Sequence, residues 1–137
     1  MTKIIIAIVL FISSLVSAQI VNLTVSISGL KSNTGAVLVG LYNSDGTFLK
    51  KSYKGATSDI KANGATVTFL NIPKGEYAIS AFHDKNKNGK LDTNFIGIPK
   101  EDYASSNNAK GVMGPPKYED AKFDLKKDLK IDIKFNN

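Results

Sequence analysis

Short runs in which apolar and polar residues alternate one for one recur along this chain, and a period of two is the period of strands. Val21, Leu23, Val25 and Ile27 alternate with Asn22, Thr24, Ser26 and Ser28 and stop at Gly29. Successive side chains of a strand point to opposite faces, so this run buries one face and wets the other. After the turn residues of 30–35, Val37, Val39 and Leu41 repeat the pattern as far as Asn43-Ser44-Asp45-Gly46. Residues 53–60 form a weaker strand, Asn63-Gly64 a hairpin turn, and 66–72 a strand with Val67 and Phe69 on one face. Pro73-Lys74-Gly75 turns the chain into a strand over 76–83, and two more alternating runs follow, Ala121, Phe123, Leu125 and then Leu129, Ile131, Ile133, Phe135. About seven short strands without an apolar stripe of helical period predict an all-β fold with almost no helix. The expected architecture is an antiparallel β-sandwich, immunoglobulin-like or transthyretin-like, of Greek-key type.

One stretch breaks the rhythm. Residues 84–120, between the fifth and sixth predicted strands, are rich in Asn, Gly, Pro and Ser. Connections this long are uncommon in compact domains and are functional or disordered. This one carries Phe95, Ile96, Ile98, Tyr103, Val112, Met113 and Tyr118, enough apolar surface to pack on a sandwich, so it reads as an ordered excursion.

The first eighteen residues have the form of a secretory signal peptide: Lys3, an apolar run over 4–12, and small residues ending at Val16-Ser17-Ala18. The run is too short to span a bilayer, and no second run follows. The expected organisation is therefore a signal peptide over 1–18 and a single β-sandwich domain over 19–137, exported and periplasmic or secreted, with no transmembrane segment after cleavage. The chain of 137 residues has 18 Lys+Arg, every one a lysine, against 12 Asp+Glu, with one His and no Cys. The absence of cysteine excludes disulfides, thiolate nucleophiles and Cys-ligated metal centres, and the absence of arginine removes the bidentate fork used on phosphates and carboxylates. Apart from Lys3, the lysines are spread from Lys31 to Lys134, which argues for a solvated surface and against a nucleic-acid site. Partners are expected among envelope or extracellular proteins or glycans.

The excursion opens on the one constellation with evident chemistry. With Asp84 as position 1, oxygen side chains stand at Asp84, Asn86, Asn88 and Asp92, Gly89 occupies position 6, and Lys90 at position 7 offers its carbonyl. That is the spacing of a calcium loop, since a hard cation takes six to eight oxygens and alternate side chains of a curled segment turn inward. Position 12 is Phe95 where an EF-hand has a bidentate Glu, so a remaining ligand comes from elsewhere, with Asn94, Glu101 and Asp102 as candidates. Lys85, Lys87 and Lys90 weaken the local field for a dication, which predicts a weak Ca2+ site with a dissociation constant on the order of 0.1 to 1 mM. The bland alternative is that Asn88-Gly89 is simply a tight turn.

Ile72-Pro73-Lys74-Gly75-Glu76-Tyr77, the His83-Asp84 loop, Asn94-Phe95-Ile96-Gly97-Ile98-Pro99, Ser106-Asn107-Asn108-Ala109, Gly114-Pro115-Pro116 and Glu119-Asp120-Ala121 together resemble the exported bacterial domain-of-unknown-function family 2141. The resemblance implies a secreted or periplasmic β-sandwich of uncharacterised role. Pro73-Lys74-Gly75-Glu76-Tyr77 is also similar to the turn and strand of carboxypeptidase-regulatory-like modules, which bears on fold alone.

Two further readings stay open beside a non-enzymatic module with a calcium loop. Tyr103 and Tyr118 could be platforms of a carbohydrate- or peptide-binding surface over 94–118, with Asn107 and Asn108 as hydrogen-bond partners, or could pin the excursion to the sandwich. His83 could serve a hydrolase together with carboxylates, although no G-x-S-x-G elbow or second histidine accompanies it. A strand-end histidine bonded to nearby backbone is the simpler role.

Overall fold

The computed structural model describes residues 19–90 and 101–135. The expected signal peptide, Asp92 and the candidate ligand Asn94 lie outside the described residues. The strands are β1 (Ile20–Ser28), β2 (Ala36–Tyr42), β3 (Lys54–Asp59), β4 (Ala65–Pro73), β5 (Gly75–Asp84), β6 (Tyr103–Ser105), β7 (Phe123–Leu125) and β8 (Leu129–Lys134), with one four-residue helix, α1 (Tyr118–Ala121). They form two packed sheets. The smaller has the order β4-β1-β8, and the larger the order β3-β2-β5-β6, with β7 also on β5. The expected all-β sandwich is what forms, with eight strands among the described residues where seven were read.

The inner faces carry the alternation seen in the sequence. Val21, Leu23, Val25 and Ile27 of β1 meet Val37, Val39 and Leu41 of β2 and Tyr77, Ile79 and Ala81 of β5, closed by Leu125, Ile133 and Phe135. The intervening residues of β1 and β8 are polar and reach water, as a half-buried sheet requires, while on β4 Leu70 stands exposed among threonines. One inner residue breaks strict alternation. Val67 and Phe69 point inward, but so does Ile72, which a period of two would turn outward. The register shifts between Val21 and Leu23, where β4 has an extra residue, and Asn71 takes a left-handed backbone (φ 56°) and donates its N–H to Asn22 Oδ1 (3.1 Å). This bulge rotates Ile72 into the core.

Three departures from the sequence reading have physical causes. The turn after β3 centres on Ala62 and Asn63, both left-handed (φ 51° and 58°), and is closed by the Lys61–Gly64 bridge, one residue before the expected Asn63-Gly64 pair. It also carries the chain from the large sheet to the small one, since β3 pairs with β2 and β4 with β1. The sheets are not purely antiparallel: β8 runs parallel to β1 from Leu23–Leu129 to Ser28–Lys134. The chain reaches that free edge by crossing over from β7 in the other sheet, so no hairpin dictates an antiparallel approach.

The third departure concerns the excursion, which contains regular structure. β6 pairs antiparallel with β5 through Ser80–Ser105, Ala81–Ala104 and Phe82–Tyr103, so the segment between them is a hairpin connection. β7 pairs with the same edge of β5 further along, through Gly75–Leu125 to Tyr77–Phe123. The stretch from Ser106 to α1 then folds over the outer face of the large sheet. There Ala78, Phe48, Tyr118 and Ala121 form a second, smaller core. β5 is thus covered on both faces around Ala78, which explains the unbroken buried run Tyr77-Ala78-Ile79.

Candidate functional site

β5 ends on two fully buried polar residues, His83 (0 % exposed) and Asp84 (1 %). The His83 ring lies on the inter-sheet side, as the alternation Tyr77, Ile79, Ala81, His83 requires. Its Nε2 donates to the carbonyl of Thr34 at 2.6 Å, and its backbone N–H donates to the carbonyl of Asp102 at 2.9 Å. The side chain is therefore committed to closing this end of the sandwich. Gly35 (φ 79°) permits the approach of β2, because a Cβ there would collide with the backbone of Asp84 and Lys85.

Asp84 begins the candidate cation loop and organises it. Oδ2 accepts the N–H of Gly89 at 2.7 Å and Oδ1 that of Asn88 at 3.2 Å. Asn86 Oδ1 also accepts the Asn88 N–H (3.2 Å), and Asn88 Oδ1 accepts that of Lys90 (2.9 Å). The side-chain oxygens of Asp84 and Asn86 thus meet at one N–H, that of Asn88, while Asn88 turns its own oxygen to Lys90. The curl itself comes from two left-handed residues, Lys87 (φ 54°) and Gly89 (φ 74°). Lysine at such a position costs energy, and the hydrogen bonds of Asp84 offset it.

The hairpin is pinched at its neck. Glu101, 7 % exposed, places Oε2 2.7 Å from the Lys85 N–H, so the returning strand is fastened where the outgoing one left. Beside it Asp102 Oδ1 pairs with Lys31 Nζ at 3.5 Å. Lys87 reaches Asp59 at 3.8 Å, an exposed pair of little energetic weight. Lys85, Lys87 and Lys90 are exposed, so their ammonium groups reach water. Among the described residues no three His, Cys, Asp or Glu side chains converge. A cation here would rest on the Asp84 carboxylate with amide and carbonyl oxygens, a donor set that suits calcium better than a transition metal.

The far end of the excursion is held differently. Ser106, fully buried, lies where β6 has stopped and β7 has not begun. Its Oγ accepts the N–H of Ile79 at 2.9 Å and donates to the carbonyl of Ala121 at 2.6 Å. One hydroxyl thus replaces the missing rung of the ladder on β5 and ties α1 to the sheet. Asn107, left-handed at φ 58°, donates through Nδ2 to the carbonyls of Asp120 (3.2 Å) and Lys122 (2.7 Å). Its amide clamps α1 and is not offered to a ligand. Asn108, also left-handed (φ 53°), stands exposed beside it.

The two tyrosines part company. Tyr103 is 43 % exposed on β6, whereas Tyr118 is 5 % exposed. The Tyr118 ring meets Phe48 edge-on at 5.7 Å, and Phe48 meets Tyr42 edge-on at 5.2 Å. Tyr118 is therefore an anchor of the excursion and no exposed platform. Burial, reinforced by the Glu76 carboxylate beside it, pushes the Tyr118 hydroxyl up to about 12. Sequence reasoning missed Ser106 as a positioning residue, since a serine among polar neighbours carries no pattern. It also missed Glu101 as the neck.

The hydrolase reading finds little geometric support: no surface of the His83 ring is exposed, Glu101 is spent on Lys85, and Glu119 pairs with Lys122 at 3.2 Å. No helix among the described residues is long and apolar enough to cross a membrane. No curated protein and no solved structure matches the chain. The family model described as "Uncharacterized protein conserved in bacteria (DUF2141)" matches residues 25–132, which spans β1 to β8 and both ends of the excursion. The chain, with its β-sandwich and its doubly anchored excursion, belongs to that bacterial family, DUF2141.

Proposed function

We propose that this protein is an exported, non-enzymatic β-sandwich module in which a weak calcium site at the Asp84 loop orders the hairpin between β5 and β6. The observation that carries the reading is the buried carboxylate of Asp84, held at the base of a curl whose side-chain oxygens at 84, 86 and 88 each accept a backbone N–H of the same loop. A plain turn needs no buried carboxylate, because backbone and water satisfy an exposed turn. Ligands are Asp84, Asn86, Asn88 and the Lys90 carbonyl, with Asp92 completing the alternation in the sequence. Export follows from the pattern of residues 1–18.

The test is a thermal melt of the 19–137 chain in EDTA, in calcium and in magnesium. For a dissociation constant of about 0.1 to 1 mM, about 10 mM calcium adds roughly 1.4 to 2.7 kcal/mol, a rise of several degrees. The rise is expected with calcium, not magnesium, and is lost in Asp84→Asn, which keeps the shape of the side chain and removes its charge. An equal rise in Asp84→Asn and the parent would refute the site.

A further inference from the structure

We propose that the end of the molecule built by the 47–51 loop and the 110–117 tip docks on anionic lipid bilayers, with Leu49, Val112 and Met113 entering the headgroup boundary and lysines around them meeting lipid phosphates. Val112 and Met113 are adjacent and almost wholly exposed, at 92 % and 103 %. Isolated exposed apolar residues are ordinary, but two in succession at the apex of a tight turn are thrust outward by the backbone. The turn is tight because Gly111 abuts the backbone of Gly114 and Pro115, where no Cβ fits.

A second loop presents the same chemistry. Leu49 is 38 % exposed, and both Leu49 (φ 61°) and Met113 (φ 59°) have left-handed backbones. Such a conformation costs a non-glycine residue on the order of 1 kcal/mol, and residues held there against their preference cluster at working surfaces. The base of the tip and the second loop line one groove, through Pro115 and Lys117 on one side and Leu49 and Lys50 on the other. Lys51 and Lys110 extend the basic rim along the sequence, and both are exposed. Glu76 and Glu119 in the groove are paired with Lys122, at 3.7 and 3.2 Å. That leaves Asp45 as the remaining acid of the groove wall.

Charge and residue type select the occupant. Protein–protein hot spots favour exposed Trp, Tyr and Arg and are poor in lysine. Here the aromatics Phe48 and Tyr118 lie buried beneath the surface, the exposed apolar groups are aliphatic, and every cation is lysine. Lysine is a point charge on a flexible stem, suited to a fluid layer of anions, and each one near an anionic membrane contributes about 1 kcal/mol.

The experiment is co-sedimentation of the 19–137 chain, which contains both cores entire, with phosphatidylcholine vesicles with and without phosphatidylglycerol. Binding is expected with phosphatidylglycerol and falls as salt rises. The double variant Leu49→Asn/Met113→Asn should weaken binding about tenfold or more. The same variant should melt no lower than the parent, because asparagine accepts left-handed backbone, so lost binding cannot be lost folding. Lys50→Gln/Lys117→Gln should weaken binding at low salt and leave the residual binding at high salt alone. Equal binding to neutral vesicles, no binding to either, or full binding by the Leu49→Asn/Met113→Asn variant would overturn the proposal. A protein-docking role for this end would give the second of these results.

Discussion

The excursion leaves the sandwich at Asp84 and rejoins it at Phe123, and its two ends are held by opposite means. The leaving end is polar: carboxylate and amide oxygens of Asp84, Asn86, Asn88 and Glu101 bind backbone N–H groups, and residues 85–90 are exposed. The rejoining end is apolar: Tyr118 and Ala121 pack on Phe48 and Ala78, with the buried Ser106 hydroxyl and the exposed Asn107 clamp as its polar fastenings. An apolar anchor draws its stability from buried area and is indifferent to ions, whereas a loop held by carboxylate and amide oxygens on N–H groups carries charge that a cation can meet. One end is therefore held by packing, and the other, in our proposal, responds to calcium.

The largest effect should come from the apolar end. Tyr118→Ala should cost about 3 to 5 kcal/mol in denaturant unfolding, by loss of the ring from the small core. If the outer core were incidental, the cost would be below about 1 kcal/mol, the range of a surface substitution. Ser106→Ala strands the Ile79 N–H and Ala121 carbonyl in a buried place and should cost about 1 to 3 kcal/mol. Neither variant should change the calcium response at the other end, and a lost response would show that the two anchors are one unit.

Alkali should act at the apolar end through Tyr118. The Tyr118 hydroxyl is raised from 10.0 in the unfolded chain to about 12 in the fold, so the folded state favours the neutral form. The stabilisation is full below pH 10 and is lost as pH rises toward 12. Melting temperature should fall over that window in the parent and less steeply in Tyr118→Phe. Smallest is Asn107: Asn107→Gly loses the clamp but keeps the left-handed backbone, while Asn107→Ala loses both. Alanine should therefore be worse than glycine by about 1 kcal/mol.

Much of this contrast was legible in the residues, and the reasons for the rest are physical. β1, β2 and β8 are legible because each keeps one face on the core, so alternation survives. The inward turn of Ile72 is not, because one left-handed Asn71 shifts the phase of a strand, and nothing in a pattern of apolar letters marks a bulge. β6 was invisible because its three residues, Tyr-Ala-Ser, are too few to show a period and owe their pairing to the neck at Glu101 and Asp102. The ligand spacing at 84–92 could be read because it is local. The burial of Asp84 could not, since it depends on Gly35 and the β2 backbone lying across it. For Tyr118 the sequence leaves both a platform and an anchor open, and it is Phe48, seventy residues away, that makes it an anchor.

The responsive end is tested most directly at one amide. Gly89 N–H, bonded to Asp84 Oδ2, should shift in a 15N–1H spectrum on calcium titration, together with Asn88 and Lys90. The shifts should saturate with a dissociation constant on the order of 0.1 to 1 mM, and the amides of Ser106, Tyr118 and Ala121 should stay where they are. An unmoved Gly89 amide at about ten times that calcium concentration, or shifts spread evenly over both ends, would contradict it.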